Sequence, residues 1–325
     1  MKSTADRKFA RVAYYCRNLA RDSIPHAFFR GRLRPLLATA GDHDREGLAE
    51  RLHYYNMLDH IVPLDPEGPT VGTVPMGKSM YYYDFKEYSR YFPRHLRVDV
   101  DFGDVTEVPE TPSFVKSRPI AGDRRNAVLF KLNSFRHFYF PADHTAFADK
   151  KPMAVWRGGA RNPKRRALLD RYFGHPLIDV GRTDNREPDS PFRRPFLRPV
   201  EQMAYRYVIS IEGNDVATNL KWILASNALC IMPKPVYETW FMEGRLEAGR
   251  HYVEVRDDFD DLEDRILHCE RHPDEALAII RNANQWAVGF RDERREEILS
   301  LLVMLRYFVM TGQMEADPAL ADLLA

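Results

Sequence analysis

Cysteine is scarce. The 325 residues contain three, Cys16, Cys230 and Cys269, far apart and odd in number. That spacing fits neither a disulfide framework nor a thiolate metal site, and it points to a reducing cytoplasm. Net charge is almost absent as well. Forty-eight Lys and Arg face 47 Asp and Glu, and the formal +1 excludes a globally basic nucleic-acid coat or an acidic solvating chain. No apolar run approaches the roughly 20 residues that span a bilayer. The first residues lack the apolar core of a secretion signal, because Arg and Asp interrupt them every few positions. There is no internal repeat, no Gly-x-Ser-x-Gly elbow and no phosphate-loop lysine motif, which argues against a solenoid, a hydrolase of that type or a P-loop kinase. What is present, 44% apolar, 29% charged and 12% aromatic residues, suits a soluble globular chain long enough for two lobes.

The balanced total hides an asymmetry. Residues 1–35 hold nine basic residues (Lys2, Arg7, Lys8, Arg11, Arg17, Arg21, Arg30, Arg32, Arg34) against Asp6 and Asp22, a net +7 that leaves −6 for the remainder. Within it, Phe9, Val12, Ala13, Cys16 and Leu19 recur at helical spacing with arginines on the other face. Interleaved aromatic residues allow three readings of this segment, contact with a nucleic acid, a peripheral contact with an anionic membrane, or an ordinary solvated face. No recognition motif accompanies the charge, so no nucleic-acid partner is expected.

Further helices are expected near 26–39, 43–58 and 83–91, and Leu96, Val98, Val100 and Phe102 alternate with polar residues as in a half-buried strand. From residue 152 short apolar strands alternate with helices: strands at 152–156, 177–180, 207–211, 229–232 and 252–255, and helices at 163–172, 217–227, 258–271, 273–290 and 291–311. Such alternation implies βαβ units around a parallel sheet, an α/β fold. The charged segment at 149–151 suggests a lobe boundary near 150. That gives residues 1–150 as an N-terminal lobe with a basic helical start, and 151–325 as a Rossmann-like lobe.

Two strand–loop–helix junctions stand out. In the first, Trp156-Arg157-Gly158-Gly159-Ala160-Arg161 leads into a helix behind Pro163. Helix starts at the carboxyl ends of strands attract phosphate, and Arg157 or Arg161 could grip a diphosphate, although strand–Gly–Gly–helix turns are common without one. In the second, Ile211-Glu212-Gly213-Asn214-Asp215 is followed by Thr218, Asn219 and Lys221. Asn214, Asp215 and Thr218 read equally well as helix caps, whereas capping does not explain Lys221.

At these residues the chain resembles glycosyltransferase family 90, the family of protein O-glucosyltransferases, capsule-associated proteins and bacterial lipopolysaccharide-type sugar transferases. Trp156–Arg161 is similar to the family's aromatic-Arg-Gly-Ser-Arg stretch. Residues 205–221, the Glu238-Thr239-Trp240 stretch and His251-Tyr252-Val253 follow in family order. The resemblance implies a GT-B fold of two Rossmann-like lobes with a cleft between them, acceptor on the first and nucleotide sugar on the second, the last helix crossing back. It also implies an inverting transfer from a UDP-sugar to a glycan or lipid-linked saccharide, without a metal or other cofactor. The work would be surface polysaccharide or lipopolysaccharide synthesis in the cytoplasm, at the inner face of the membrane. The family's base carries over to Asp104. Arg157, Gly158, Arg161, Gly213, Asn214, Asp215, Asn219, Lys221 and Glu238 carry over to the donor side, with Asn219 standing where other members have arginine. Lys116, Arg118, Arg136 and His137 are the acceptor-side candidates.

Two other classes remain open on the residues alone. Asp99-Val100-Asp101 has the form of a metal-binding pair in a metal-dependent transferase, but Asp42-His43-Asp44 and Asp258-Phe259-Asp260 share that form. A nucleotide-sugar or anionic-surface binder without catalysis would have the same pattern.

Overall fold

The structure is a computed structural model that describes residues 4–324; Lys2, counted in the basic segment, lies outside the described residues. The chain is α/β and forms two compact units, residues 1–135 with 292–325, and residues 136–291.

The first unit opens with helices α1 (Thr4–Asp22), α2 (His26–Ala38), α3 (Arg45–Tyr55) and α4 (Ser79–Ser89). Short strands follow: β1 (Asp99–Asp101), β2 (Ser113–Val115), β3 (Ser117–Pro119) and β4 (Ala127–Leu129). A parallel sheet runs β1-β2-β4, with Val100 opposite Phe114 and Phe114 opposite Val128. The alternating stretch 96–102 is shorter as a strand than its pattern suggests. Leu96 and Val98 are buried as the alternation requires, but their backbone pairs with the preceding loop: Val71 N–H donates to Leu96 at 2.9 Å and Val98 N–H to Pro69 at 3.0 Å. A short helix, α5 (Ser134–His137), leads out of this unit.

The second unit contains β5 (Lys151–Gly158), α6 (Pro163–Tyr172), β6 (Ile178–Arg182), α7 (Pro199–Gln202), β7 (Tyr205–Ile209) and α8 (Leu220–Leu224). It continues through β8 (Leu229–Met232), β9 (Tyr237–Thr239), β10 (Val253–Glu254), α9 (Leu262–Arg271) and α10 (Pro273–Val288). Five strands make an all-parallel sheet in the order β10-β8-β7-β5-β6. Ala154, Val155, Trp156, Tyr207, Val208 and Ile209 are all buried, so successive residues on both faces are covered. This explains why these strands read as apolar runs rather than alternations. Residues 136–150, ahead of β5, pack with this unit: Phe147 joins its core beside Tyr207.

The chain then returns to the first unit as α11 (Glu293–Met310), capped by the Asp292 carboxylate on Arg294 N–H and Arg295 N–H, and α12 (Ala321–Leu324). Helix α11 is apolar on every side. Ile298, Leu299, Leu301, Leu302, Val303, Met304, Tyr307 and Phe308 are buried, as expected of a helix surrounded by others. At about 1.5–3 kcal/mol for each large apolar side chain, this helix is the main apolar anchor of its unit. Its one buried carboxylate, Glu296, is held by Arg51 at 2.7 Å and Lys131 at 2.8 Å.

Candidate active site

Strand order locates the site. The chain runs from β5 outward to β6, then crosses back to β7 on the other side of β5. Where the winding reverses, the loops after two adjacent parallel strands diverge, and open α/β sheets bind ligands in that crevice. Here the loops are 158–162 after β5 and 210–219 after β7.

Side chains lock the two loops together. Asn162 caps α6 by accepting Arg165 N–H at 2.9 Å, and its amide donates to the carbonyls of Glu212 and Gly213 at 2.8 and 2.9 Å. The Arg165 guanidinium donates to Gly159 at 3.1 Å and to Ile211 at 2.8 Å, while its Nε has no partner among the described residues. Burial, with the charge of Arg136 added, lowers the Arg165 pKa to about 10. Two glycines allow this closeness. A Cβ at Gly158 would meet the Trp156 ring at 2.7 Å, and one at Gly213 would meet Arg165 at 3.1 Å.

Beside the junction lies a small, open pocket, lined by Lys164, Ser210, Glu212, Leu220, Lys234 and Glu243 among others. Glu212 accepts Val236 N–H and Tyr237 N–H, both at 3.0 Å, and burial raises its carboxyl to about 7. Lys164 opens α6 together with Arg165 and Arg166, and that first turn contains no acidic residue. Cations at a helix N-terminus oppose the helix dipole. Their presence beside a pocket is the arrangement an anionic ligand would stabilise; the basic first turn is readable in the sequence, yet neither Lys164 nor Arg165 is among the expected site residues.

The donor-side residues divide into two groups. Arg157 is saturated: it makes a bidentate pair with Asp179 at 2.7 and 2.8 Å and also donates to the Asp179 carbonyl at 2.7 Å. Lys221 is fully buried and paired with Glu243 at 2.6 Å. Asn219 bridges the end of β7, donating to Ile209 at 3.0 Å and accepting Ser210 at 3.2 Å. Asp215 and Glu238 are buried and Asn214 is exposed. Arg161 is exposed in the β5–α6 loop, and its guanidinium has no hydrogen bond or ion pair among the described residues.

In the first unit, Asp104 follows β1 and Gly103. Its carboxylate is one-third exposed and bound to buried Lys116 at 2.7 Å, with the Tyr81 hydroxyl donating at 3.4 Å. Tyr81 in turn accepts Asn133 at 3.5 Å. Arg118 is buried and donates to the carbonyls of Tyr54, at 2.6 Å, and Ala127, at 2.9 Å. Arg136 is exposed and His137 buried, both on the approach to the second unit. Asp99 accepts the Thr111 hydroxyl at 3.2 Å, and Asp101 is exposed.

The chain is 52% identical over 265 residues, 81% of its length and 83% of the relative's, to "O-glucosyltransferase LpsA" of Dichelobacter nodosus. Residues 135–292 match the family model described as Glycosyl transferase family 90. The chain belongs to glycosyl transferase family 90. A weaker similarity, 29% over 92 residues, reaches "Uncharacterized protein 035R" of Invertebrate iridescent virus 3, covering 28% of this chain and 8% of that protein. In this family 90 chain the matched region coincides with the second unit and contains both junction loops and the pocket. Asp104 lies before it.

Proposed function

We propose that the chain is an inverting O-glycosyltransferase of the GT-B type that moves a sugar, glucose first among candidates, from a UDP-sugar to a saccharide hydroxyl in lipopolysaccharide or surface-polysaccharide synthesis. The observation that carries the reading is the 52% identity, over four-fifths of the chain, to a protein named as an O-glucosyltransferase. The pocket beside the switch point, lined by the loops after β7 and β8 with Lys164 and Lys234 among them, and the absence of an acid in the first turn of α6 support a nucleotide-diphosphate donor there.

The chemistry needs one base and several cations. As the acceptor oxygen attacks C1 of the donor sugar, Asp104 takes its proton, the C1–oxygen bond to the diphosphate breaks, and UDP leaves with both bonding electrons. Lys116 and Tyr81 hold the Asp104 carboxylate in one orientation. Arg161 and Arg165 offer charge to the departing diphosphate, and Lys164, paired with exposed Asp257 at 2.7 Å, stands beside them. No step is assigned to a metal ion. A lipid-linked acceptor would put the work at the inner face of the cell membrane.

The test is UDP release from a panel of UDP-sugars, with and without acceptor saccharides, and the anomeric configuration of the product by NMR. Acceptor-dependent release with inversion is the expected result. Tight UDP binding without turnover of any donor would favour a binding protein, and activity abolished by chelator would favour metal-dependent transfer.

A further inference from the structure

Helix α1 faces the opposite way from an ordinary amphipathic helix. Phe9, Val12, Cys16 and Leu19, three or four residues apart, share one face. That face points to solvent: Phe9 is 76% exposed, Val12 59% and Leu19 57%. The docked face is the polar one. Tyr14 is buried and donates to Asp84 at 2.7 Å, Tyr15 meets Ser79 at 2.9 Å, and Asn18 is buried. Arg21 pairs with Glu87, and Asp22 with Lys86 at 2.9 Å and Arg90 at 3.5 Å. These contacts leave the apolar stripe uncovered, and Ile24 and Phe28 extend the exposed apolar surface into the next turn and helix.

The same segment is cationic on the outside. Arg17, Arg30, Arg32 and Arg34 are exposed, whereas Arg11 shares the face of Tyr14, Tyr15 and Asn18. Of the acids that meet α1, Asp84 is buried beneath Tyr14, and Asp22 and Glu87 are in ion pairs. We propose that the outer side of α1 is a membrane-docking surface. Phe9, Val12 and Leu19 enter the interfacial layer, and the exposed arginines of residues 17–34 meet anionic headgroups. A second copy of the chain is a poorer occupant, since it would set arginine against arginine. A nucleic acid would leave the aliphatic side chains without a role. The proposal gives a purpose to the reading of a lipid-linked acceptor, but its observations stand apart from the transfer chemistry.

The test is flotation of the full chain, without substrate, on phosphatidylcholine vesicles with and without phosphatidylglycerol. Binding should require the anionic lipid and weaken with salt. The triple variant Phe9→Ser/Val12→Ser/Leu19→Ser should bind at least about tenfold more weakly, and Arg30→Gln/Arg34→Gln about fivefold more weakly for each arginine removed. These positions are exposed, so circular dichroism and melting should match wild type, and Val288→Ser, an exposed apolar site on α10, should bind normally. Equal binding by the triple variant overturns the proposal, as does equal binding to neutral vesicles. A wild-type dimer that the triple variant dissociates would do the same by assigning the stripe to self-association. UDP release with a soluble acceptor, measured on the same variant, should be unchanged, which separates failure of the docking surface from failure of the transferase reading.

Discussion

Lys221 and Glu243 form an ion pair of 2.6 Å with both side chains sealed from solvent. Glu243 also accepts Thr239 N–H and its hydroxyl at 2.6 and 2.9 Å, and it lines the pocket that Lys221 does not reach. The lysine therefore acts through the glutamate, as a positioning residue rather than a donor ligand. Removing one partner of a buried pair strands a charge and costs about 3–5 kcal/mol. Lys221→Met should lower unfolding free energy in urea by that amount, and Lys221→Met/Glu243→Leu should recover most of it. A Lys221→Met protein of wild-type stability with a much higher donor KM would instead make Lys221 a direct diphosphate contact.

Asp104 and Lys116 support a different kind of test. If Asp104 is the base, Asp104→Asn should lower kcat by about 10²–10⁴-fold while leaving donor affinity unchanged. Lys116→Met leaves the carboxylate in place but removes the ammonium that orients it, so it should lower kcat less and alter its pH profile. Transfer at the wild-type rate by Asp104→Asn would assign the base elsewhere.

Arginine position 161 is open and position 157 is not. Arg161→Ala should raise the donor KM by roughly tenfold or more, the usual scale of one charge-assisted contact of about 1.5–3 kcal/mol. Arg157→Ala breaks the bidentate pair with Asp179, which also accepts the Tyr205 hydroxyl at 2.8 Å. Its first effect should be a lower melting temperature, read by scanning calorimetry. The reverse pattern, with Arg157 controlling KM, would mean that the donor displaces Asp179.

What the sequence made legible was whatever depends on short-range pattern. The strand at Leu229–Met232 and the helix at Pro163–Tyr172 lie where their residues place them, because an apolar run bounded by turns and a Pro at the first helical position are local signals. Long-range pairing was not legible. Nothing in Lys221 or Arg157 announces Glu243, 22 residues on, or Asp179, also 22 residues on, so cations in the right motif could not be sorted into committed and free. Helix α1 shows the same limit from the other side. Its apolar period was readable, but which face docks was decided by Asp84, Ser79 and Glu87, some 64–70 residues away.

Glu212 makes the site sensitive to pH. Burial raises its carboxyl from the ordinary range to about 7, against the pull of two backbone N–H groups and Lys164. Below pH 7 the group is mostly neutral; above it, the pocket gains a negative charge where the donor reading places a diphosphate. Donor KM should therefore rise as pH increases through 7, and Glu212→Gln, neutral at every pH, should flatten that rise. Stability moves in the same sense. A carboxyl whose folded pKa lies above its unfolded one contributes stability that is fully present below the unfolded value and lost as pH climbs through the folded value. Urea unfolding at pH 5 and pH 8 should show a smaller loss for Glu212→Gln than for wild type. A donor KM that is flat with pH in the wild type, or that rises identically in Glu212→Gln, would place the diphosphate away from this carboxylate.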